Sequence, residues 1–316
     1  MTFLLVLALA AADPLPTADA RASTLRAQAR EALGGESALA SVHGLSLQGH
    51  FHRLPPPDSG AGDTARPSRG PFGRDAAGDL DVDVALPDKM RREESISVAG
   101  GPSFTMIMGL SGAHAWMGTE GAAGGRGFGG GRGGGPRGEA DARSPADRKA
   151  MEEERRAAMG RRLQGELARL QLALLADPGD GASVTYAGPA ESPDGRADVL
   201  DVTSASGTRA RLFLDATTHA PLMVTYQETM PARRFRRPMP ADGVDRPETP
   251  APVASPSDAA PRTVEVTLFL SDRRAVDGLQ LPYHVSRAVN GNVVEEWDVT
   301  RWRVNPAFKP ERFEKQ

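Results

Sequence analysis

The sequence predicts an α+β protein, mainly β, in which a strongly curved antiparallel sheet (a half-barrel) wraps around one long central helix. Apolar and polar residues alternate through about ten to twelve segments, the pattern of half-buried strands. Residues 145–176 instead repeat their apolar positions at three- and four-residue spacing, as an amphipathic helix does. A sheet of this size tends to curl. A helix with a single apolar stripe needs one apolar surface, and the curved sheet supplies it.

The N-terminus carries an apolar run, residues 3–12, followed by small residues. The run is too short to span a bilayer and is typical of a secretory signal. We therefore expect residues 1–20 to be a signal peptide and 21–316 to form one periplasmic domain. No basic residue precedes the run, so a start codon placed too late and a buried helix start are the alternatives. The chain contains no Cys, which excludes disulfides and thiolate metal sites and predicts a soluble protein without a lipidated cysteine.

Two further helices are predicted near the N-terminus. The first covers 23–33, with Ser23 as its N-cap and Gly34-Gly35 as its stop signal, and a short second helix covers 36–41. The central helix begins at Pro145 and ends before Asp177-Pro178-Gly179. Its apolar stripe contains Met159, Leu163, Leu167, Leu170, Leu174 and Leu175.

The strands are predicted on both sides of the central helix. Leu45, Leu47 and Phe51 share one strand face, and a second strand alternates from Leu80 to Leu86. Further strands cover 89–98 and a hairpin that turns at 110–112. In the C-terminal half, Leu212 and Leu214 are expected to face Leu222, Val224 and Tyr226 across a hairpin. Asp277-Gly278 predicts a tight turn in another.

Three stretches interrupt this pattern and are predicted to be disordered insertions within the domain: 54–78, 119–144 and 229–261. Each is rich in Gly or Pro and poor in apolar periodicity. The second contains GGRGFGGGRGGGPRG at 124–138, which includes a formal G-x-G-x-x-G. That motif lies too far from the central helix to be a dinucleotide loop. The net charge of −3 does not favour nucleic-acid binding.

Three phrases carry a resemblance to a known family. In ALGGESALASVHGLSLQG, a helix that ends in Leu-Gly-Gly leads into the first strand. LFLDATTHAPLMV has a D-x-x-T-x-x-P form at Asp215, Thr218 and Pro221. SDRRAVDGLQLPYHV has a late hairpin with Asp272, Val276, Asp277, Gly278, Leu281 and Pro282. These phrases resemble the LolA/LolB-like superfamily of periplasmic lipoprotein carriers. The resemblance implies an eleven-stranded half-barrel, lidded by helices, whose apolar interior holds acyl chains.

A carrier interior requires apolar, adaptable side chains, and Met suits that requirement. We predict that the ligand cavity is lined by residues of the sheet and central helix: Met106, Met108, Trp116, Met117, Met159, Leu163, Leu167, Leu170, Leu212, Leu214, Met223 and Val224. For each Met, ordinary packing in the core is the alternative. No cofactor, metal or catalytic residue is expected.

Several polar groups are candidates for a metal or catalytic site. His50 and His52 share a strand face and could bind a metal with a third ligand from elsewhere, but without HExxH or Cys an exposed strand face is the better interpretation. Asp79, Asp81 and Asp83 share a face that could bind a cation, although a solvent-facing strand also explains them. The adjacent pairs Glu93-Glu94 and Glu295-Glu296 point to opposite faces, whereas acid/base chemistry needs two carboxylates on one face.

Two other motifs also have simpler interpretations. Residues 109–113 approach a nucleophile elbow, but the spacing of the glycines predicts a hairpin turn. The basic run 233–237 could contact anionic headgroups, and a solvated loop is the alternative.

Three functions follow from these observations. The first is an exported, non-catalytic monomer that holds a lipid or lipoprotein acyl chain. The second is a structural or interaction module of the cell envelope with the same fold, no lipid cargo and an envelope protein partner. The third, RNA binding through the Gly/Arg-rich loop, conflicts with export.

Overall fold

The computed structural model describes residues 18–54, 76–96, 103–121, 145–193, 195–205, 207–230 and 262–315. The apolar run 3–12, the Gly/Arg-rich stretch 124–138 and the basic run 233–237 lie outside the described residues, as do most positions of the three predicted insertions.

Three α-helices are described: α1 (Ala18–Ala32), α2 (Glu36–Ala40) and α3 (Pro145–Leu175). Helix α1 begins before the predicted N-cap, so Ser23 lies inside it; one face, with Ala22, Leu25 and Ala29, is buried. Helix α3 matches its predicted bounds closely. A short 3₁₀ helix, Pro310–Phe313, lies near the C-terminus. Among the described residues, no helix is both long and apolar enough to cross a membrane.

Twelve strands form one antiparallel sheet: β1 (Gly44–Arg53), β2 (Ala77–Ala85), β3 (Lys89–Ile96), β4 (Phe104–Ser111), β5 (His114–Gly121), β6 (Ser183–Ser192), β7 (Gly195–Thr203), β8 (Arg209–Asp215), β9 (Pro221–Met230), β10 (Arg262–Val276), β11 (Leu279–Val289) and β12 (Asn292–Val304). The resemblance implied eleven strands, so the described sheet has one strand more.

The sheet is open, with β5 and β6 as its two edges. Its order is β5-β4-β3-β2-β1-β12-β11-β10-β9-β8-β7-β6, so every pair of adjacent strands is consecutive in the chain except β1 and β12, and the consecutive strands β5 and β6 lie at opposite edges. Helix α3 follows one edge strand and precedes the other. It contacts β3, β4 and β5 near one edge, and β8 and β9 towards the other. Helix α1 packs against β6.

The two sides of the sheet differ in what covers them. On the helix-facing side, alternate residues of neighbouring strands, such as Leu47, Val82 and Leu212, join Leu163 and Leu167 of α3 in the main hydrophobic core. The C-terminal segment, with Phe308 and Phe313, covers the outer side of the N-terminal strands, where it reaches β3 and β4. The sheet therefore has covering elements on both sides.

The strand ends that flank the undescribed ranges 55–75, 97–102, 122–144 and 231–261 lie at one end of the sheet. Ile96, Phe104 and Gly121 are register neighbours at that end. In register, Ile96 connects through Gly78 and Phe51 to Trp297, and the pair of Arg53 and Glu295 lies two residues further towards the same end. The pair of Arg262 and Met230 lies at the corresponding end of β10 and β9.

Most predicted turns are present, and one predicted pairing is wrong in part. Asp277 and Gly278 have φ values of 47° and 86°, as the predicted tight turn requires. Gly112 lies in the hairpin turn between β4 and β5, so residues 109–113 do not form a nucleophile elbow. Across β8 and β9, Leu212 pairs with Val224, but a register irregularity follows Phe213. Leu222 is consequently 39% exposed and does not join the core.

Candidate functional site

The helix-facing surface is built from the stripe of α3 and alternate residues of the sheet. Leu163, Leu167 and Leu174 are buried, while Met159 and Leu170 are partly buried against the same core. Gly160 places α3 against the β4–β5 hairpin, where a Cβ would make ordinary contacts with the carbonyl oxygen of Ala113 at 3.5 Å and with the Cβ of Ala115 at 3.8 Å.

The predicted cavity residues do not all lie on one side of the sheet. Leu212, Leu214 and Val224 are buried on the helix-facing side. Met223 lies on the outer side, because it pairs with Phe213 and Phe269, the neighbours of residues that face the helix.

Trp116 is also on the outer side. It pairs with Gly109, its ring lies against that glycine, and its Nε1 donates to the carbonyl oxygen of Phe313 at 3.0 Å. Trp116 therefore binds the chain's own C-terminal segment. The ligand cavity as a whole remains a prediction.

Four methionines form what we call the methionine cluster: Met106, Met108, Met117 and Met159. Met108 pairs directly with Met117 across β4 and β5, and Met106 is the next residue on the same face. Met108 and Met159 pack against the main core. Met117, on the edge strand, is 54% exposed. The cluster therefore runs from the core to solvent at the β5 edge.

The helix-facing side also carries a group of charged residues that we call the arginine–glutamate cluster: Arg53, Arg92, Glu94, Glu166 and Glu295. Arg92 donates from Nε to Glu94 at 2.8 Å, from Nη2 to Glu295 at 2.6 Å and from Nη1 to Glu166 at 3.0 Å. Arg53 donates to Glu94 at 2.5 Å. Three strands and one helix contribute to the cluster, so it ties α3 to the sheet.

Burial makes these charges interdependent. Glu94 is fully buried, and Arg92 and Glu295 are buried as well. Burial alone would lower the pKa of Arg92, but the carboxylates of Glu295, Glu94 and Glu166 hold its pKa above the ordinary value.

Glu295 responds in the opposite direction. Burial would raise its pKa, yet Arg92, Arg53 and a hydrogen bond from Trp297 lower the pKa to about 2. The Trp297 Nε1 donates to Glu295 at 2.5 Å, and Arg92 lies 4.8 Å from the centre of a Trp297 ring. Glu295 therefore remains ionised across the neutral and mildly acidic range.

A second set of contacts extends this charged line across α3 to β9 and β11. Arg287 donates to Glu228 at 2.8 Å, and Arg162 of α3 lies 3.9 Å from the same carboxylate. Arg169 of α3 lies 3.8 Å from the ring centre of Tyr226. The helix is thus held over the sheet by polar contacts as well as by its leucines.

Sequence reasoning missed the arginine–glutamate cluster. It placed Glu93 and Glu94 on opposite faces, as they are, and therefore set them aside for acid/base work. The structure brings Glu94 and Glu295 onto one face from distant strands, with Arg92 between them. The signal available in the sequence was the position of Arg92 and Glu94 between Met90 and Ile96, on a face whose ends are apolar.

The other predicted polar groups resolve into separate pairs on the outer side. Asp79 contacts His50 at 2.9 Å, Asp81 accepts from Gln48 at 2.8 Å, and Asp83 accepts from Arg312 at 2.7 Å. Asp83 is buried beneath the C-terminal segment, so its predicted solvent exposure is wrong. Within the described part of the chain, no group of His, Asp and Glu is arranged to hold a metal ion.

Comparison with known proteins gives a distant likeness in fold. The structure is similar to a LolA superfamily protein from Nitrosomonas europaea, at TM-score 0.44 and 10% identity, over 93% of this chain and 97% of that one. It is similar to an outer membrane lipoprotein-sorting protein domain from Vibrio parahaemolyticus, at TM-score 0.39 and 11% identity, over 92% and 94%. It is also similar to a DUF1329 family protein from Desulfovibrio piger, at TM-score 0.38 and 10% identity, over 93% and 97%.

No family model matches the chain, and no curated protein matches it. The first of these structures is named for the LolA superfamily, which is the family that the three sequence phrases resemble, and the two chains share 10% identity. Likeness at this level does not identify a ligand.

Proposed function

We propose that the protein is an exported, non-catalytic binding protein that holds the acyl chain of a lipid or lipoprotein. In this proposal the curved sheet is a half-barrel around α3, and the chain lies between α3 and the helix-facing side of β4 and β5. Export rests on the apolar run 3–12, which predicts a periplasmic location.

The observation that carries the proposal is the position of Met117. It is exposed at an edge strand, yet it shares the helix-facing side with Met108, which packs on the core. Flexible thioether side chains can rearrange around an apolar chain of variable shape. The methionine cluster thus offers an adaptable apolar path from solvent towards the buried leucines of α3.

The arginine–glutamate cluster supports the same arrangement. Its charges are matched to one another by hydrogen bonds, so a passing acyl chain meets paired groups and not isolated ions. These contacts also attach α3 to the sheet, so the position of the helix does not depend on packing of the leucine stripe alone.

The test is titration of the purified protein, stripped of lipid by organic extraction and refolded, with a fluorescent eleven-carbon fatty acid. We expect saturable binding to the wild type and about tenfold weaker binding to Met117→Asp, because a carboxylate in an apolar path must be desolvated. Phe269→Asp is the matched control, since Phe269 is 41% exposed on the outer side. Equal losses in both variants, or no saturable binding by the wild type, would refute the proposal.

A further inference from the structure

A pocket of about 350 Å³ lies on the outer side of the sheet, away from the methionine cluster. Its floor comes from three neighbouring strands and includes Gln48, Asp81, Asp83 and Arg303. Its roof is the C-terminal segment 306–312. The volume is at the lower end of the range for small-molecule sites in proteins.

The roof is fastened at both ends. Asn305 accepts hydrogen bonds from the backbone N–H groups of His43 and Gly44 at 2.8 and 3.2 Å, and its amide donates to Ser41 at 2.9 Å. At the other end, Arg312 contacts two carboxylates: that of Asp83 in the floor at 2.7 Å, and that of Glu93 on the adjacent strand β3 at 2.8 Å.

Aromatic contacts add to this attachment. The rings of Phe308 and Phe313 meet edge to face at 5.1 Å, and Trp116 binds the carbonyl oxygen of Phe313. Phe313 is buried. The pocket is therefore a built feature of the fold with a fixed roof.

The charges in the pocket fall into two sets. Asp83 and Arg312 neutralise one another. Two carboxylates, Asp81 and Glu311, and two cations, Arg303 and Lys309, remain in the lining. Among the described residues, none of these four is within ion-pair distance of a partner of opposite charge. A ligand with a single charge is thus attracted by one of these pairs and repelled by the other. A ligand that carries both charges can be attracted by the carboxylates and by the cations.

We propose that this pocket binds a small zwitterion that joins an ammonium group to a phosphate a few atoms away. Asp81 accepts from the ammonium group, and Arg303 and Lys309 donate to the phosphate oxygens. Charge-assisted hydrogen bonds of this kind are stronger than neutral ones, and Arg suits phosphate geometry. The same chemistry occurs in a free aminoalkyl phosphate and in the headgroup of a zwitterionic phospholipid. This site is separate from the acyl-chain site and does not depend on it.

The experiment follows amide shifts of the ¹⁵N-labelled chain during titration with O-phosphoethanolamine at neutral pH. We expect binding with a Kd below about 1 mM and shifts at the pocket residues. Ethylammonium and ethyl phosphate, the two halves of the probe, should each bind at least about tenfold more weakly. A half that binds as tightly as the whole would overturn the proposal, as would the absence of shifts at the pocket.

Variants locate the two charges. Asp81→Asn and Arg303→Gln should each weaken binding about tenfold. Asp201→Asn and Arg211→Gln are matched controls from an exposed ion pair of the outer side, at 2.7 Å between Arg211 and Asp201. If the controls lose as much binding, the pocket is not the site. Lys309→Gln should also weaken binding. Because Lys309 lies on the exposed roof, this substitution does not disturb the strands.

Vesicles distinguish the source of the headgroup. Cosedimentation with phosphatidylethanolamine vesicles that Asp81→Asn abolishes, and that phosphatidylglycerol vesicles do not reproduce, would identify a lipid. Binding of the soluble probe without cosedimentation would identify a free zwitterion. Failure of the fatty-acid titration described above would leave either result unaffected.

Discussion

Arg92 on β3 donates from Nη1 to the carboxylate of Glu166 on α3 at 3.0 Å. The same guanidinium is buried and also contacts Glu94 and Glu295. This single side chain therefore connects the central helix with two strands that are distant in sequence. A substitution at Arg92 therefore tests the stability of the whole fold, whereas a substitution at Glu166 tests the attachment of α3 to the sheet.

Replacing Arg92 with Met should destabilise the protein strongly. The substitution keeps the apolar stem but leaves Glu94 and Glu295 buried without their main partner, a situation that typically costs about 3–5 kcal/mol. Urea unfolding at neutral pH measures the change. Arg211→Met is the control, because Arg211 belongs to an exposed pair whose loss typically costs no more than about 1 kcal/mol. Similar values for the two variants would show that the cluster contributes little.

Stability should fall as the pH is lowered from about 5 towards 2. The pKa of Glu295 is lowered from 4.5 to about 2, so its contribution is present above the unfolded value and is lost as pH falls through the folded one. The difference corresponds to about 3 kcal/mol. Urea midpoints across this range provide the measurement.

The contribution of Glu295 to that slope can be isolated with Glu295→Gln, which should flatten the dependence. Glu296→Gln should keep the wild-type slope, because it leaves the arginine–glutamate cluster intact. An unchanged slope in Glu295→Gln would show that another group is responsible.

Replacing Glu166 with Gln should loosen α3 more than it unfolds the sheet. The variant loses the charge on the only helix residue that contacts Arg92 among the described hydrogen bonds, while the paired strand carboxylates remain. Hydrogen exchange of the amides of residues 160–175 should become about tenfold faster, with strand amides little changed. Glu153→Gln, in the exposed part of α3, should leave exchange of 160–175 unaltered. Uniform acceleration of strands and helix would contradict this expectation.

Replacing Gly34 with Ala should destabilise the fold through a steric collision. Gly34 has φ 131°, and a Cβ there would meet the carbonyl oxygen of Gly278 in the β10–β11 turn. We expect a loss of at least about 2 kcal/mol in thermal or urea unfolding. Gly188→Ala is the control, since its φ is 122° but nothing lies within 4 Å of the added Cβ. Comparable losses would mean that backbone strain, and not the collision, sets the effect.

Gly34 and Gly278 also show how sequence phrases become contacts. Both belong to phrases that carried the family resemblance, and the backbone N–H of Gln280 donates to the carbonyl oxygen of Leu33 at 2.9 Å. The sequence predicted a helix end at Gly34 and a tight turn at Gly278. The contact between this helix end and this turn was not predictable, because local φ/ψ preferences carry no information about distant partners.

The amino-acid sequence by itself determined the period of each element. Alternation predicted the strands, the stripe from Met159 to Leu175 predicted α3, and Asp277-Gly278 predicted its turn, because these patterns depend on near neighbours in the chain. Tertiary structure alone decided which charges are buried. The sequence around Arg92 and Glu94 is that of a solvent-facing strand, but in the structure β12 and α3 lie against these residues. Asp83 is likewise expected to be exposed, but the C-terminal segment covers it. Burial of a charge depends on partners contributed by distant parts of the chain, and strand alternation does not specify which parts meet.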